Sequence, residues 1–246
     1  DDYPVTYDEL EPFFDRFEHV DGISGQAGNL GGTLIPGGNP FEGPRSRDYP
    51  MPPQEPTWNG VKFGRVAQEM GYHPFPRPGG NASTGYVNEF GMQLAECNYC
   101  GYCERYGCYQ YSKSSPQTTI LAALFRKPNF AYRTNAEVLR VELARDGRTA
   151  TGVTWFDEAA GEEVFQPADI VILAAYQIET TRLMLLSGIG QPYDPFTQTG
   201  VTGRNYAYQI TGATSLFFRE DHFNPFVGSG INGVCIDDFG MNNLDF

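Results

Sequence analysis

Leu10, Phe13, Phe14 and Phe17 recur at i, i+3, i+4 and i+7 behind Pro4 and an acidic first turn at Asp8 and Glu9. This pattern predicts an amphipathic helix over 4–20. Residues 21–58 keep no period. Their Gly-Gly steps and prolines predict irregular chain, and their scattered aromatic residues make it an ordered covering segment rather than a linker. A second helix is expected from an Asn59 cap, with Phe63, Val66, Ala67 and Met70 as its apolar face and Gly71 as its end. The prolines of 74–78 predict extended chain, and Ser115-Pro116 opens a helix running from about Gln117 to Phe125. The period then shortens to that of strands. Residues 130–134, 137–144, 150–157 and 162–166 predict an antiparallel meander, turned at Asp146-Gly147 and before Gly161. Ile170-Val171-Ile172-Leu173-Ala174-Ala175 is apolar throughout, as in a strand covered on both faces of a parallel sheet. A helix over 177–186 follows and runs into Ser187-Gly188-Ile189-Gly190. The rest is turn-rich, with Ser215–Arg219 as a strand candidate.

The fold class is therefore α/β in a mixed α+β arrangement. The 246 residues are 40% hydrophobic and 19% charged, enough for a packed core. With 29 glycines and 18 prolines the chain is no helical bundle. A net charge of −13 repels phosphate backbones and argues against nucleic-acid binding. No apolar run approaches the ~20 residues of a membrane span. The chain opens on Asp1 with no signal peptide, like the middle of a longer protein.

Four of the five cysteines, Cys97, Cys100, Cys103 and Cys108, fall in CNYCGYCERYGC. Disulfides, a zinc site and an iron–sulfur cluster are all open to such a run. Its compactness favours the cluster: disulfides at this spacing are strained, and zinc usually draws on two separated pairs. Gly101 and Gly107 permit the turns that would aim several thiolates inward, and Tyr99, Tyr102 and Tyr106 would shield the metal from water. Cys235, alone in an apolar stretch, reads as a core thiol. His19, His73 and His222, the three histidines, read as surface or packing residues, so no catalytic residue is assigned. Asn81-Ala82-Ser83 has the form of a glycosylation sequon and is expected to be inert.

The order meander, apolar strand, helix and LMLLSGIG resembles the glucose–methanol–choline (GMC) flavoprotein oxidoreductases. Leu183, Met184, Ser187, Gly188, Ile189 and Gly190 match the end of that family's second signature, whereas Ala175, Tyr176, Glu179 and Thr180 depart from its first half. Gly200-Val201-Thr202-Gly203-Arg204-Asn205 is similar to its Val-Gly-x-Asn element, with Thr202 intruding. The cysteine run with KSSPQTT, together with YDELEPFFDRFEHVDGISG, resembles the large flavin subunits of bacterial membrane-bound sugar and sugar-acid dehydrogenases, those acting on gluconate above all.

The resemblance implies a piece of a Rossmann-like FAD-binding fold. Residues 1–112 would form a helical and irregular segment with the cysteine loop, 113–204 part of the FAD-binding domain and 205–246 the start of a substrate domain. The family's GxGxxG fingerprint and its catalytic histidine are expected outside this chain. Val138 would meet the adenine through its backbone, and Ala174 and Ala175 would let the dinucleotide approach. The cluster would be [3Fe–4S], using three of Cys97, Cys100, Cys103 and Cys108. The expected parent oxidises a sugar, sugar acid or polyol and passes electrons through the cluster to a multihaem cytochrome c. A small subunit would accompany it, in the periplasm, with the membrane reached only through a partner. The acidic surface is expected to meet a basic patch on the redox partner. A non-catalytic iron–sulfur electron-transfer module is the alternative.

Overall fold

A computed structural model describes residues 4–103, 106–208, 211–223 and 232–240. The chain forms two compact units, residues 1–130 with 217–246, and residues 131–216. These packing boundaries do not coincide with the divisions at 112/113 and 204/205 drawn from the sequence.

In the first unit, helix α1 spans Tyr7–Asp21. The Thr6 hydroxyl accepts the Glu9 N–H while the Glu9 carboxylate accepts the Thr6 N–H at 2.8 Å, a reciprocal cap for two otherwise orphaned donors. The expected apolar stripe forms at the expected spacing, but it does not become core. Phe13, Phe14 and Phe17 are 69%, 48% and 59% exposed. Polar tethers hold the helix instead. Glu18 pairs with Arg45, Asp15 with Arg47 at 2.7 Å, and Glu11 accepts the Ser46 N–H at 2.7 Å. Tyr86 donates its hydroxyl to the His19 carbonyl at 2.6 Å.

Strands β1 (Asn29–Leu30) and β2 (Thr33–Leu34) form a small antiparallel hairpin in the irregular segment. Helix α2 spans Trp58–Glu69 from a Thr57 cap, so Asn59 lies inside it rather than at its start. It buries Gly60 and Ala67 and leaves Phe63, Val66 and Met70 exposed. The Val234 side chain reaches the glycines Gly60 and Gly64, so the small side of the helix, not its large apolar side, faces the protein. β3 (Phe75–Pro76) is extended as expected and pairs antiparallel with Val234–Cys235. β4 (Tyr86–Val87) pairs with β5 (Gln93–Leu94). Met51, Ala82 and Leu94 make the core, with Tyr86 against it. The helix expected from 117 to 125 is broken at Ile120 into α3 (Pro116–Thr119) and α4 (Leu121–Leu124).

The second unit is a three-stranded antiparallel meander, β6 (Ala136–Leu143), β7 (Ala150–Asp157) and β8 (Glu162–Pro167), in sequential order. Helix α5 (Gln177–Leu186) packs on β6. Three of the four expected strands are thus present, while 130–134 is irregular. Residues 170–175 and 215–219 also form no strand. Ile170 and Ile172 are 80% and 84% exposed, and no described strand lies alongside to complete their backbone hydrogen bonds. An apolar run becomes a buried strand only with neighbours to pair with. No described helix is long and apolar enough to cross a membrane. The mixed helices and small antiparallel sheets agree with the α/β class expected.

Candidate functional site

The cysteine loop in the first unit hangs from the buried strand end at Leu94. The Ala95 N–H donates to the Tyr111 carbonyl at 3.4 Å, the Cys97 N–H to the Ala82 carbonyl at 2.9 Å, and the Ala82 N–H to the Ser112 carbonyl at 2.9 Å. Both ends of the loop are therefore clamped on Asn81–Ala82, a segment with almost no exposure. Tyr99, Gly101 and Tyr111 take left-handed backbone angles, φ 55°, 79° and 57°, which fold the chain back between the clamps.

The loop turns its N–H groups toward sulfur. Asn81 Nδ2 stands 3.3 Å from Cys103 Sγ and 3.9 Å from Cys97 Sγ, and the Tyr99 N–H reaches Cys97 Sγ at 3.4 Å. Burial pushes the Cys103 thiol up, the Asn81 bond pulls it back, and the charges of Cys97, Cys100 and Cys108 push it up further. Burial also acts to raise Cys108, but the backbone N–H groups of Lys113, Ser112, Gln110 and Tyr111 outweigh it and bring that thiol below its ordinary value. Lys113 Nζ donates to the Cys103 carbonyl at 2.7 Å. The five cysteines are free thiols, with Cys97 and Cys103 buried. Among the described residues no three His, Cys, Asp or Glu side chains are set as the ligands of a metal ion. The metal site expected of Cys97, Cys100, Cys103 and Cys108 is thus not supported by the arrangement of their side chains.

Asn81 escaped the sequence reading. Its sequon drew attention to glycosylation, yet the side chain is 1% exposed and engaged with sulfur. The contacts span 16 and 22 residues along the chain, so no local pattern announces them. Cys235 is half-buried rather than fully buried, and burial raises its thiol.

In the second unit, Val138 lies on edge strand β6 opposite Trp155, next to a bulge that precedes Arg140. It is 37% exposed, and among the described residues β6 has no sheet partner on its outer side. Ala174 and Ala175 are exposed in the irregular approach to α5 rather than at the end of a strand.

The Ser-Gly-Ile-Gly motif is positioned by clear local causes. Gly188, at φ 67°, ends α5 in a left-handed cap in which the Ile189 N–H donates to the Met184 carbonyl at 2.9 Å and the Gly188 N–H to that of Leu185 at 3.2 Å. Ser187 Oγ donates to the Leu183 carbonyl at 2.6 Å and accepts the Val141 N–H at 2.8 Å, fastening the helix end to β6. His19 Nδ1 bonds the Asp15 carbonyl at 2.9 Å, and His73 Nδ1 meets Asp238 Oδ1 at 2.7 Å.

Residues 64–211 match the family described as GMC oxidoreductase, and the chain belongs to it. It is 50% identical to the gluconate 2-dehydrogenase flavoprotein of Pantoea cypripedii over 99% of this chain and 40% of that protein. It is 26% identical to the 2-methyl-1,2-propanediol dehydrogenase of Mycolicibacterium austroafricanum over 93% of this chain and 38% of that protein. The paromamine 6'-oxidase of Streptomyces fradiae is also 26% identical, over 85% of this chain and 35% of its own length. The chain thus spans two-fifths or less of these relatives.

Proposed function

We propose that the chain is part of an FAD-dependent dehydrogenase that oxidises the CH–OH group of a sugar acid, sugar or polyol, with gluconate foremost. The observation that carries this is the 50% identity to a gluconate 2-dehydrogenase flavoprotein, sustained over 99% of the chain. Bound flavin supplies the acceptor for the hydride leaving the carbinol carbon. Val138, Ala174 and Ala175 would line the dinucleotide, and Ser187 and Gly188 hold the helix end against β6 beside it.

The same reading gives the cysteine loop an iron–sulfur cluster of the [3Fe–4S] kind, held by three of Cys97, Cys100, Cys103 and Cys108. Its support is the run of four cysteines in one loop, with Asn81 Nδ2 within reach of the Cys97 and Cys103 sulfurs. Electrons would pass to a multihaem cytochrome c, with a small subunit alongside, on the periplasmic side of the membrane. Membership of the GMC family weighs against a module whose cysteine loop is its only cofactor site. The test is the anaerobically purified full-length protein. A flavin band near ~450 nm over broad brown absorbance, with iron and acid-labile sulfide, is the expected result. Absence of flavin defeats the dehydrogenase reading, and zinc without iron defeats the cluster.

A further inference from the structure

Beside α1 the first unit holds a cavity of 460 Å³, and none of the residues expected to meet the flavin or to form the cysteine loop lines it. Tyr7, Phe14 and Phe17 of α1 line it together with Glu42, Arg45 and Tyr49. Its tyrosine rings are firmly seated. A Cβ on Gly43 would stand 2.6 Å from the Tyr7 ring, and one on Gly25 would stand 2.7 Å from the Tyr49 ring, so each tyrosine lies flush on a glycine. The Tyr7 and Phe14 ring centroids are 6.5 Å apart at an interplanar angle of 36°. Arg45 is already engaged: its guanidinium lies 3.9 Å from the centre of the Tyr49 ring and pairs with Glu18. Among the described residues no ion pair engages Glu42, whose Oε1 accepts the N–H groups of Gly28 and, at 3.1 Å, Asn29. Burial and then the Glu11 carboxylate push the Tyr7 phenol up, Arg45 pulls it back, and Glu42 and Glu18 push it up again. Three carboxylates against one guanidinium leave the cavity electrically negative.

We infer that this cavity is a binding site for a small organic cation, an ammonium group carried on an apolar or aromatic body, with Glu42 as its counter-charge and the rings of Tyr7 and Phe14 against it. Aromatic faces attract a cation through the ring quadrupole, most strongly where water is partly excluded. The volume falls in the range of small-molecule pockets. An anion would meet Glu18 and Glu42 at close range, with the Arg45 guanidinium already taken, so carboxylates and phosphates are disfavoured. A neutral ligand would gain the apolar contacts but leave the half-buried Glu42 carboxylate without an opposite charge. Recognition of this kind uses neither flavin nor sulfur, so it goes beyond the activity proposed above.

The test is isothermal titration calorimetry of the full-length protein with benzyltrimethylammonium chloride, and with benzyl alcohol as its neutral counterpart. The cation should bind saturably and more tightly than benzyl alcohol, and its affinity should fall as ionic strength rises. Glu42→Gln, which keeps the shape and removes the charge, should weaken binding several-fold or more. Phe14→Ala should weaken it several-fold by removing an aromatic face. Phe14 is 48% exposed, so its truncation leaves the fold standing and decides the matter if Glu42→Gln does not fold. Full-length protein that takes up no cation overturns the inference, whether other chain fills the cavity or the affinity is lacking. Benzyl alcohol bound as tightly, an affinity indifferent to salt, or an unchanged affinity in either folded variant overturns it as well.

Discussion

At the scale of single residues, the letters of the Ser-Gly-Ile-Gly motif have structural duties that can be tested directly. Ser187 serves two elements at once, accepting from Val141 and donating to Leu183. Val141 is 4% exposed, so Ser187→Ala leaves a buried N–H without its partner. The expected cost is about 1–3 kcal/mol, read as a lowered denaturation midpoint. Gly188 sits at φ 67°, where an L side chain is strained, and Gly188→Ala should cost about 1 kcal/mol by the same measurement. Gly190 is more tightly constrained, since a Cβ there would stand 2.2 Å from Thr202 Oγ1. Gly190→Ala should therefore destabilise more than Gly188→Ala, and the reverse order would contradict the packing described. The aliphatic and glycine letters of this motif were legible in the sequence because a helix end imposes them locally. Asn81 was not, because its partners lie far along the chain.

At the scale of elements, the β6–β7 turn carries its own pH signature. Asp146 Oδ1 accepts the N–H groups of Arg148 and Thr149 at 2.9 and 3.0 Å, and Oδ2 accepts the Thr149 hydroxyl at 2.6 Å. These bonds, the Thr149 hydroxyl first, hold its pKa at about 2, below the ordinary 3.8. A depressed folded-state pKa means that the contribution is present above the unfolded value and is lost as pH falls toward the folded one. NMR titration of the Asp146 carboxyl should show a midpoint near about 2, and Asp146→Ala should weaken the hairpin at neutral pH but lose that disadvantage in strong acid. A midpoint near 3.8 would refute the turn geometry. Elements written in local signals, the Asp-Gly hairpin, the extended proline run and α5, were read correctly. The apolar faces of α1 and α2 were placed correctly along the helices but not in the core, because ion pairs and a close glycine contact decide which side faces inward. The run 170–175 was misjudged as a strand for a related reason. Strand formation is a property of the pair, and the described residues offer it no neighbour.

At the scale of the whole molecule, the −13 charge bears on the proposed delivery of electrons to a partner. If an acidic surface guides a basic partner, the rate of electron transfer should fall as ionic strength rises, and a rate indifferent to salt would contradict that docking. Beneath this lies the claim that the chain belongs to a flavin dehydrogenase which oxidises a sugar acid and empties its electrons through the loop. An anaerobic titration of the oxidised full-length protein with gluconate, following the flavin band near ~450 nm and the cluster's paramagnetic signal in the same sample, tests it most directly. The account predicts that gluconate bleaches the flavin and changes the cluster signal together. A flavin left oxidised by gluconate and by related sugar acids and polyols would contradict it.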